Sequence, residues 1–273
     1  MPYVTIEGEA LHYQEQGSGF PVMLAHSFLW DSDMWAPQIP VLAKNYRVIA
    51  PDLWGHGKSG KLPSNAHTPA DLARHASHLL DALDIEKCVV IGSSVGGMWG
   101  AELAMSNASR VTGLVMLDTY LGDEETATRE RYFGILDEMA SKGSIAEPLL
   151  DTIVPMFFKR NAAMDGQLPM LMRRKLVDFR ASQLRDSVVP MGRLIFGRPN
   201  ELGRLSSLDA DRTLLMCGVD DIPRPPRETE EMAGIIGCRY ILVPEAGHLP
   251  NLENPEFVTN SLLDWLRTQP VTS

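Results

Sequence analysis

The segment Val89-Val90-Ile91-Gly92-Ser93-Ser94-Val95-Gly96-Gly97 runs from an apolar strand through Gly-x-Ser-x-Gly into a helix. In that setting a tight turn lifts the central serine out of the strand, and flanking glycines let strand, turn and helix approach without Cβ clashes. The serine is Ser94, because centring the motif on Ser93 would put Ile91 and Val95 at the glycine positions. A serine hydroxyl is a poor nucleophile at neutral pH; it needs a histidine to take its proton and an acid to orient that histidine. His248, in Pro244-Glu245-Ala246-Gly247-His248-Leu249-Pro250, follows the last strand pattern in a turn containing Gly and Pro. Loops at the carboxyl ends of strands are where open α/β sheets place their sites. Other histidines read structurally: His75 and His78 lie in a helix, His12 in an early strand, His67 in a polar loop and His56 in the turn Gly55-His56-Gly57. For the acid, Leu214-Leu215-Met216-Cys217-Gly218-Val219-Asp220-Asp221 supplies a strand, a glycine and two aspartates. Asp118, ending the strand that follows the serine strand, competes with them. Either member of the pair gives the order Ser, Asp, His that belongs with this serine motif. Val95, next after the serine, has its N–H at a helix N-terminus, where the macrodipole favours a developing negative oxygen.

Regular elements must hold these groups. Short β-branched runs at 4–6, 11–16, 22–25, 47–51, 88–92 and 113–117 alternate with helical patterns at 34–44, 69–83 and 96–105. That alternation is the signature of a mostly parallel sheet flanked by helices on both faces. Leu72, His75, Ala76, Leu79, Leu80 and Leu83 trace one apolar face at helical spacing. From about Leu121 to Arg204 the pattern is helical throughout, with Pro148, Pro155, Pro169, Pro190 and Pro199 breaking it into pieces. Strand patterns return at 213–217 and 240–243, and Asn254 and Pro255 suit the cap and first turn of a last helix. The reading is one interrupted α/β domain, residues 1–120 and 205–273, with a helical cap inserted at 121–204. The cap carries Met139, Met156, Met164, Met170, Met172 and Met191 with Phe133, Phe157, Phe158, Phe179 and Phe196. These predict either an adaptable apolar wall over a substrate pocket or ordinary helix packing. Trp30, Met156, Phe157 and Leu249 are the pocket residues expected.

Several spaced matches now combine: Leu24-Ala25-His26-Ser27-Phe28 with Met34-Trp35 downstream, Arg47-Val48-Ile49-Ala50-Pro51-Asp52-Leu53-Trp54-Gly55-His56-Gly57-Lys58-Ser59, the serine turn, Gly218-Val219-Asp220-Asp221, and Ala246-Gly247-His248 leading to Glu253-Asn254-Pro255. Through them the chain resembles the α/β-hydrolase superfamily across essentially its full length. Within it, the likeness is to the small serine esterase and lactonase branch, which includes 3-oxoadipate enol-lactonases and carboxylesterases. The resemblance implies a core sheet of eight strands, the second antiparallel. It assigns the acid to Asp221, three residues after the glycine closing its strand, and the second oxyanion donor to Phe28, alongside Val95. Most relatives carry His-Gly where this chain has His26-Ser27, although 3-oxoadipate enol-lactonases resemble it in carrying serine there. His26 reads as a buried loop anchor. Serine at the turn separates the chain from haloalkane dehalogenases and epoxide hydrolases, which need an aspartate nucleophile.

The 273 residues are 44% hydrophobic and 22% charged, the composition of a soluble globular chain. A formal charge of -10 repels nucleic acid and anionic membrane surfaces, so neither is an expected partner. Nowhere do 18 apolar residues run together, and the N-terminus lacks a signal-peptide pattern, which makes the cytoplasm the expected location. Cys88, Cys217 and Cys238 form no close-spaced framework and read as reduced, buried and structural. With no HExxH, and no GxGxxG after a strand, neither a metal nor a dinucleotide cofactor is expected. The expected function is hydrolysis of a small carboxylic ester or lactone with a largely apolar acyl group, through an acyl-enzyme on Ser94. Carbon–carbon bond hydrolysis or perhydrolysis on the same triad is the alternative among enzymes. A hydrolase-like protein that binds a ligand without turnover is the alternative from another class.

Overall fold

A computed structural model describes residues 2–269. Its strands are β1 (Tyr3–Ile6), β2 (Glu9–Gln16), β3 (Phe20–Ala25), β4 (Tyr46–Pro51), β5 (Cys88–Ser93), β6 (Val111–Leu117), β7 (Thr213–Gly218) and β8 (Arg239–Val243). They form one eight-stranded sheet in the order β1-β2-β4-β3-β5-β6-β7-β8. β2 runs antiparallel to both its neighbours, and every pairing from β4 across to β8 is parallel. Every strand expected from the sequence is therefore present, as is the antiparallel second strand. β5 and β7 are buried at all positions, which explains their unbroken apolar runs: helices cover both faces, so there is no solvent side to alternate with. At the edge, β8 buries only Val243 and leaves Tyr240 and Leu242 exposed.

Two helices flank the serine strand, α1 (Pro69–Ala82) and α2 (Val95–Ser106). A capping box between Thr68 and Asp71, with Pro69 in the first turn, starts α1, and its buried face is Leu72, His75, Ala76, Leu79 and Leu80. Between β6 and β7 the described residues contain helices and turns only: α3 (Thr126–Lys142), the short helix Leu149–Ile153 running into the 3-10 turn Val154–Phe157, α4 (Gln167–Val177) and α5 (Val189–Phe196). α6 (Pro226–Ile236) and α7 (Pro255–Thr268) then flank the last strands. No helix among the described residues is long and apolar enough to cross a membrane.

Three local expectations are corrected. The stretch 34–44 is not one helix but a 3-10 turn, Ser32–Trp35, followed by the short helix Ile39–Leu42. Pro37 and Pro40 lack an N–H and disfavour helical geometry in the residue before them, which outweighs the apolar spacing. Pro190 does not break the chain's helical run, because Ala181–Gln183, a π-turn at Leu184–Val188 and α5 follow one another directly. The wider π-turn accommodates a ring that would clash with the carbonyl four residues back in a regular helix. Asn254 stands at the N-cap of α7, yet its side-chain amide donates to the Pro244 carbonyl (2.9 Å) instead of capping the helix. Of the cysteines, Cys88 and Cys217 are buried and Cys238 is half-buried; all three are free.

A buried ion cluster ties the helical segment to the sheet. Glu124, just before α3, accepts from Arg198 Nη1 (2.8 Å) beyond α5 and from Arg224 Nη2 (2.6 Å to each oxygen) in the loop after β7. Burial opposes ionisation of Glu124, but Arg224 and Arg198 outweigh it and hold the carboxyl below its ordinary range. One carboxylate thus anchors both ends of the segment joining β6 to β7.

Candidate active site

Ser94 lies between β5 and α2 at φ 54°, ψ −119°, a conformation natural to glycine and strained for serine. Its amide donates to the Leu117 carbonyl (2.8 Å) and its carbonyl accepts from Thr119 Oγ1 (3.0 Å), so the end of β6 clamps the turn from both sides. The motif glycines allow backbone to touch backbone. A Cβ on Gly92 would sit 2.3 Å from the Gly96 carbonyl, and one on Gly96 would sit 2.4 Å from the Ala25 carbonyl oxygen.

His248 follows β8, with Nδ1 2.9 Å from Asp221 Oδ2; the other Asp221 oxygen accepts the Arg224 N–H at 3.0 Å. Burial pushes the His248 imidazole down to about 4, so near neutrality it is uncharged. With the proton on Nδ1 facing Asp221, Nε2 keeps the lone pair a general base needs. Asp220 is half-buried and only loosely paired with Arg160 (4.0 Å), so it is the second aspartate of the pair that meets the histidine. Glu253 fixes this loop: Oε2 accepts the Gly247 N–H (2.7 Å) while Oε1 accepts the Lys159 N–H (2.9 Å) from the helical segment. The Phe157 ring stands edge-on to His248, with centroids 5.5 Å apart.

The loop after β3 is held by two buried imidazoles. His26 Nδ1 bonds the Ser27 carbonyl (2.7 Å) and its Nε2 accepts the Leu53 N–H (2.7 Å), which is the anchoring role expected of it. His56 Nδ1 bonds the Trp54 carbonyl (2.9 Å) and its Nε2 accepts the Leu29 N–H (3.2 Å). Each ring must carry its proton on Nδ1, and burial keeps both neutral, His56 falling to about 4 with His26 as a further influence. These bonds bend the chain at Leu29 (φ 64°) and leave the Phe28 amide without an acceptor among the described residues. Val95 is the first residue of α2, where an N–H has no intrahelical partner.

Ser94 and His248 open into a cleft of about 660 Å³ when the solvent at its mouth is counted. Ser27, Phe28 and Leu29 form its floor with them, and α3 supplies Tyr132, Leu136 and Met139 from above. Phe28 and Phe196 meet edge to face across it, centroids 6.0 Å apart. Of the pocket residues named from the sequence, Met156 and Phe157 line it and Trp30 and Leu249 do not. The bend at Leu29 brings Leu29 to the cavity and buries Trp30 elsewhere, with the Lys175 ammonium 6.0 Å from its ring; Leu249, wholly buried, packs at the start of the short helix Pro250–Glu253. Among the cap methionines, Met139 and Met156 reach the cavity, Met172 and Met191 are core packing, and Met170 is exposed. Sequence reasoning missed Glu124 and Arg224, which form one wall. They are distant in the chain, and no local pattern links them. Asp118, Asp221 and His248 are the described group with the spacing of metal ligands, one atom of each lying within 4.8 Å of the others. The direct bond from His248 to Asp221 commits those donors to each other, so the cluster's chemistry is that of holding a proton.

The sequence profile described as alpha/beta hydrolase fold matches residues 21–255. A thermophilic esterase from Thermogutta terrifontis, solved with malate bound, superposes with a TM-score of 0.83 at 27% identity, covering 100% of both chains. The chain is 25% identical to 3-oxoadipate enol-lactonase 1 of Acinetobacter baylyi, over 92% of its own length and 90% of that protein. It is 37% identical to a 2-hydroxymuconate semialdehyde hydrolase of a Pseudomonas species over 116 residues, a likeness spanning only 40% of each chain. The sheet order, the strained serine turn and the profile match agree: this chain is a hydrolase belonging to the alpha/beta hydrolase fold family.

Proposed function

We propose that the protein is a serine hydrolase of small carboxylic esters or lactones, with Ser94 as nucleophile, His248 as base and Asp221 as the acid that orients it. The observation that carries this reading is a strained serine sharing one cavity with a neutral imidazole that a buried aspartate holds by its other nitrogen. Ser94 Oγ attacks the carbonyl as His248 Nε2 takes its proton; the oxyanion is held by the Val95 and Phe28 amides. The leaving alkoxide takes the proton back from His248, and water repeats the cycle on the acyl-enzyme. Residues 121–204 act as a lid over a core of 1–120 and 205–273, a reading supported by a cavity lined from both. The apolar lining, with Arg224 already paired to Glu124 and to Glu228 (3.4 Å), favours an uncharged acyl group. The compartment we assign is the cytoplasm, in keeping with three free cysteines.

The test is hydrolysis of p-nitrophenyl acetate, butyrate and octanoate and of a γ-lactone by wild type, Ser94→Ala and His248→Ala. Each substitution is expected to lower kcat by about 10⁴–10⁶. Near-wild-type turnover by Ser94→Ala contradicts the mechanism. Failure of the folded wild type on every ester and lactone, with cleavage of a ring-fission ketone, moves the assignment to carbon–carbon bond hydrolysis, the activity that the partial likeness to the semialdehyde hydrolase suggests.

A further inference from the structure

A second buried acid stands behind the first. Asp118 follows β6 at φ 49° and is wholly buried, its N–H donating to the Met216 carbonyl (2.9 Å) and its Oδ1 accepting the Gly218 N–H (2.8 Å). Its Oδ2 is buried and meets no donor. The Asp221 carboxyl stands beside it, an oxygen of each lying within 4.8 Å of the other, and is itself engaged by Arg224 N–H and His248 Nδ1. Two carboxylates cannot both stay ionised at such range in a dry site. If the charge sat on Asp118, Oδ2 would be an acceptor with nothing to accept, a costly arrangement; if Asp118 carries a proton, that oxygen becomes a donor with the Asp221 carboxylate beside it.

We propose that Asp118 is protonated at neutral pH and donates a hydrogen bond to the Asp221 carboxylate, making it a positioning residue that keeps the triad acid charged and aimed at His248. The proposal rests on the triad reading above. Burial and then the Asp221 charge drive the Asp118 carboxyl well above its ordinary range. Burial also raises Asp221, on balance to about 8, but there the Asp118 contact, the Arg224 N–H and the Arg224 charge pull the other way, so of the two Asp221 is the first to ionise. Glu228 on α6 adds negative charge from the far side, Glu253 does so nearer His248, and the Cys217 thiol, pushed up by burial, remains neutral.

Asparagine mimics a protonated aspartate, accepting with its oxygen and donating with its amide; leucine does neither. The test compares wild type, Asp118→Asn, Asp118→Leu and Asp221→Asn by infrared difference spectroscopy and by the pH dependence of p-nitrophenyl butyrate hydrolysis. Wild type is expected to show the carbonyl stretch of a buried protonated carboxyl at neutral pH, and Asp118→Asn to lose it. Asp118→Asn should keep kcat within about threefold, while Asp118→Leu loses about tenfold or more in kcat with KM little changed. Without its donor Asp221 takes up a proton more readily, so the acid limb of kcat/KM in Asp118→Leu should move about one unit toward neutrality, with Asp118→Asn unmoved. A wild-type spectrum without that band, or an Asp118→Asn protein as crippled as Asp221→Asn, overturns the proposal. The band needs no substrate: its loss in Asp118→Asn with no ester turnover by any variant supports the proton's location while refuting the esterase reading.

Discussion

At φ 54° and ψ −119° the Ser94 backbone occupies ground that glycine holds without penalty, and a non-glycine residue there stores about 1–3 kcal/mol. Ser94→Gly should therefore be more stable than Ser94→Ala by about that amount while both are inactive, a comparison that excludes loss of the hydroxyl as the cause. Equal urea midpoints for the two variants would contradict it. Single residues were legible where their signal is local. Gly92, Ser94 and Gly96 announce a strand-to-helix turn within five positions, and Gly218 with Asp221 marks a strand end. Glu124 and Arg224 carried no such mark, because their pairing arises only when the loops after β6 and β7 come together. Asp118 was visible as a rival acid, but only its place beside Asp221 bears on where a proton resides.

The elements show where composition predicts well and where it does not. Buried parallel strands such as β5 and β7 read as continuous apolar runs, and the edge strands as short β-branched ones, whereas 34–44 looked helical by spacing until two prolines divided it. Inside the helical segment, proline misled in the opposite sense at 190, since a π-turn is a matter of hydrogen-bond register that no composition encodes. How that segment is held to the sheet has an energetic consequence. Glu124→Ala leaves the buried Arg198 without its carboxylate and Arg224 with Glu228 alone, and should cost about 3–5 kcal/mol, read from chemical denaturation. A loss under about 1 kcal/mol would place the anchorage in the surrounding apolar contacts instead.

The whole molecule carries a charge of -10 around a cavity whose arginine wall is matched by Glu124 and Glu228. Long-range repulsion then acts on the approach of an anionic ester while a neutral one is indifferent, and salt screens it with a Debye length of about 10 Å at 0.1 M. Raising ionic strength should accordingly increase kcat/KM for an ester with a free carboxylate by about two- to tenfold and leave its methyl-capped counterpart unchanged. A parallel response of the two substrates would show that the field plays no part. The fold class and the site's depth in a strand-end crevice followed from alternation and motif order, but the cavity's shape did not, since its roof comes from helices whose rotation the sequence leaves undetermined. The π-turn at Leu184–Val188 bears on that rotation. A wide turn packs one surplus residue into a single loosened turn, so the side chains beyond it keep the facing of a regular helix. Removing one residue there should therefore restore regular winding and leave Ile195 and Phe196 in the cavity wall, whereas removing one inside α5 would turn the residues after it by about 100° and exchange the side chains that roof the site.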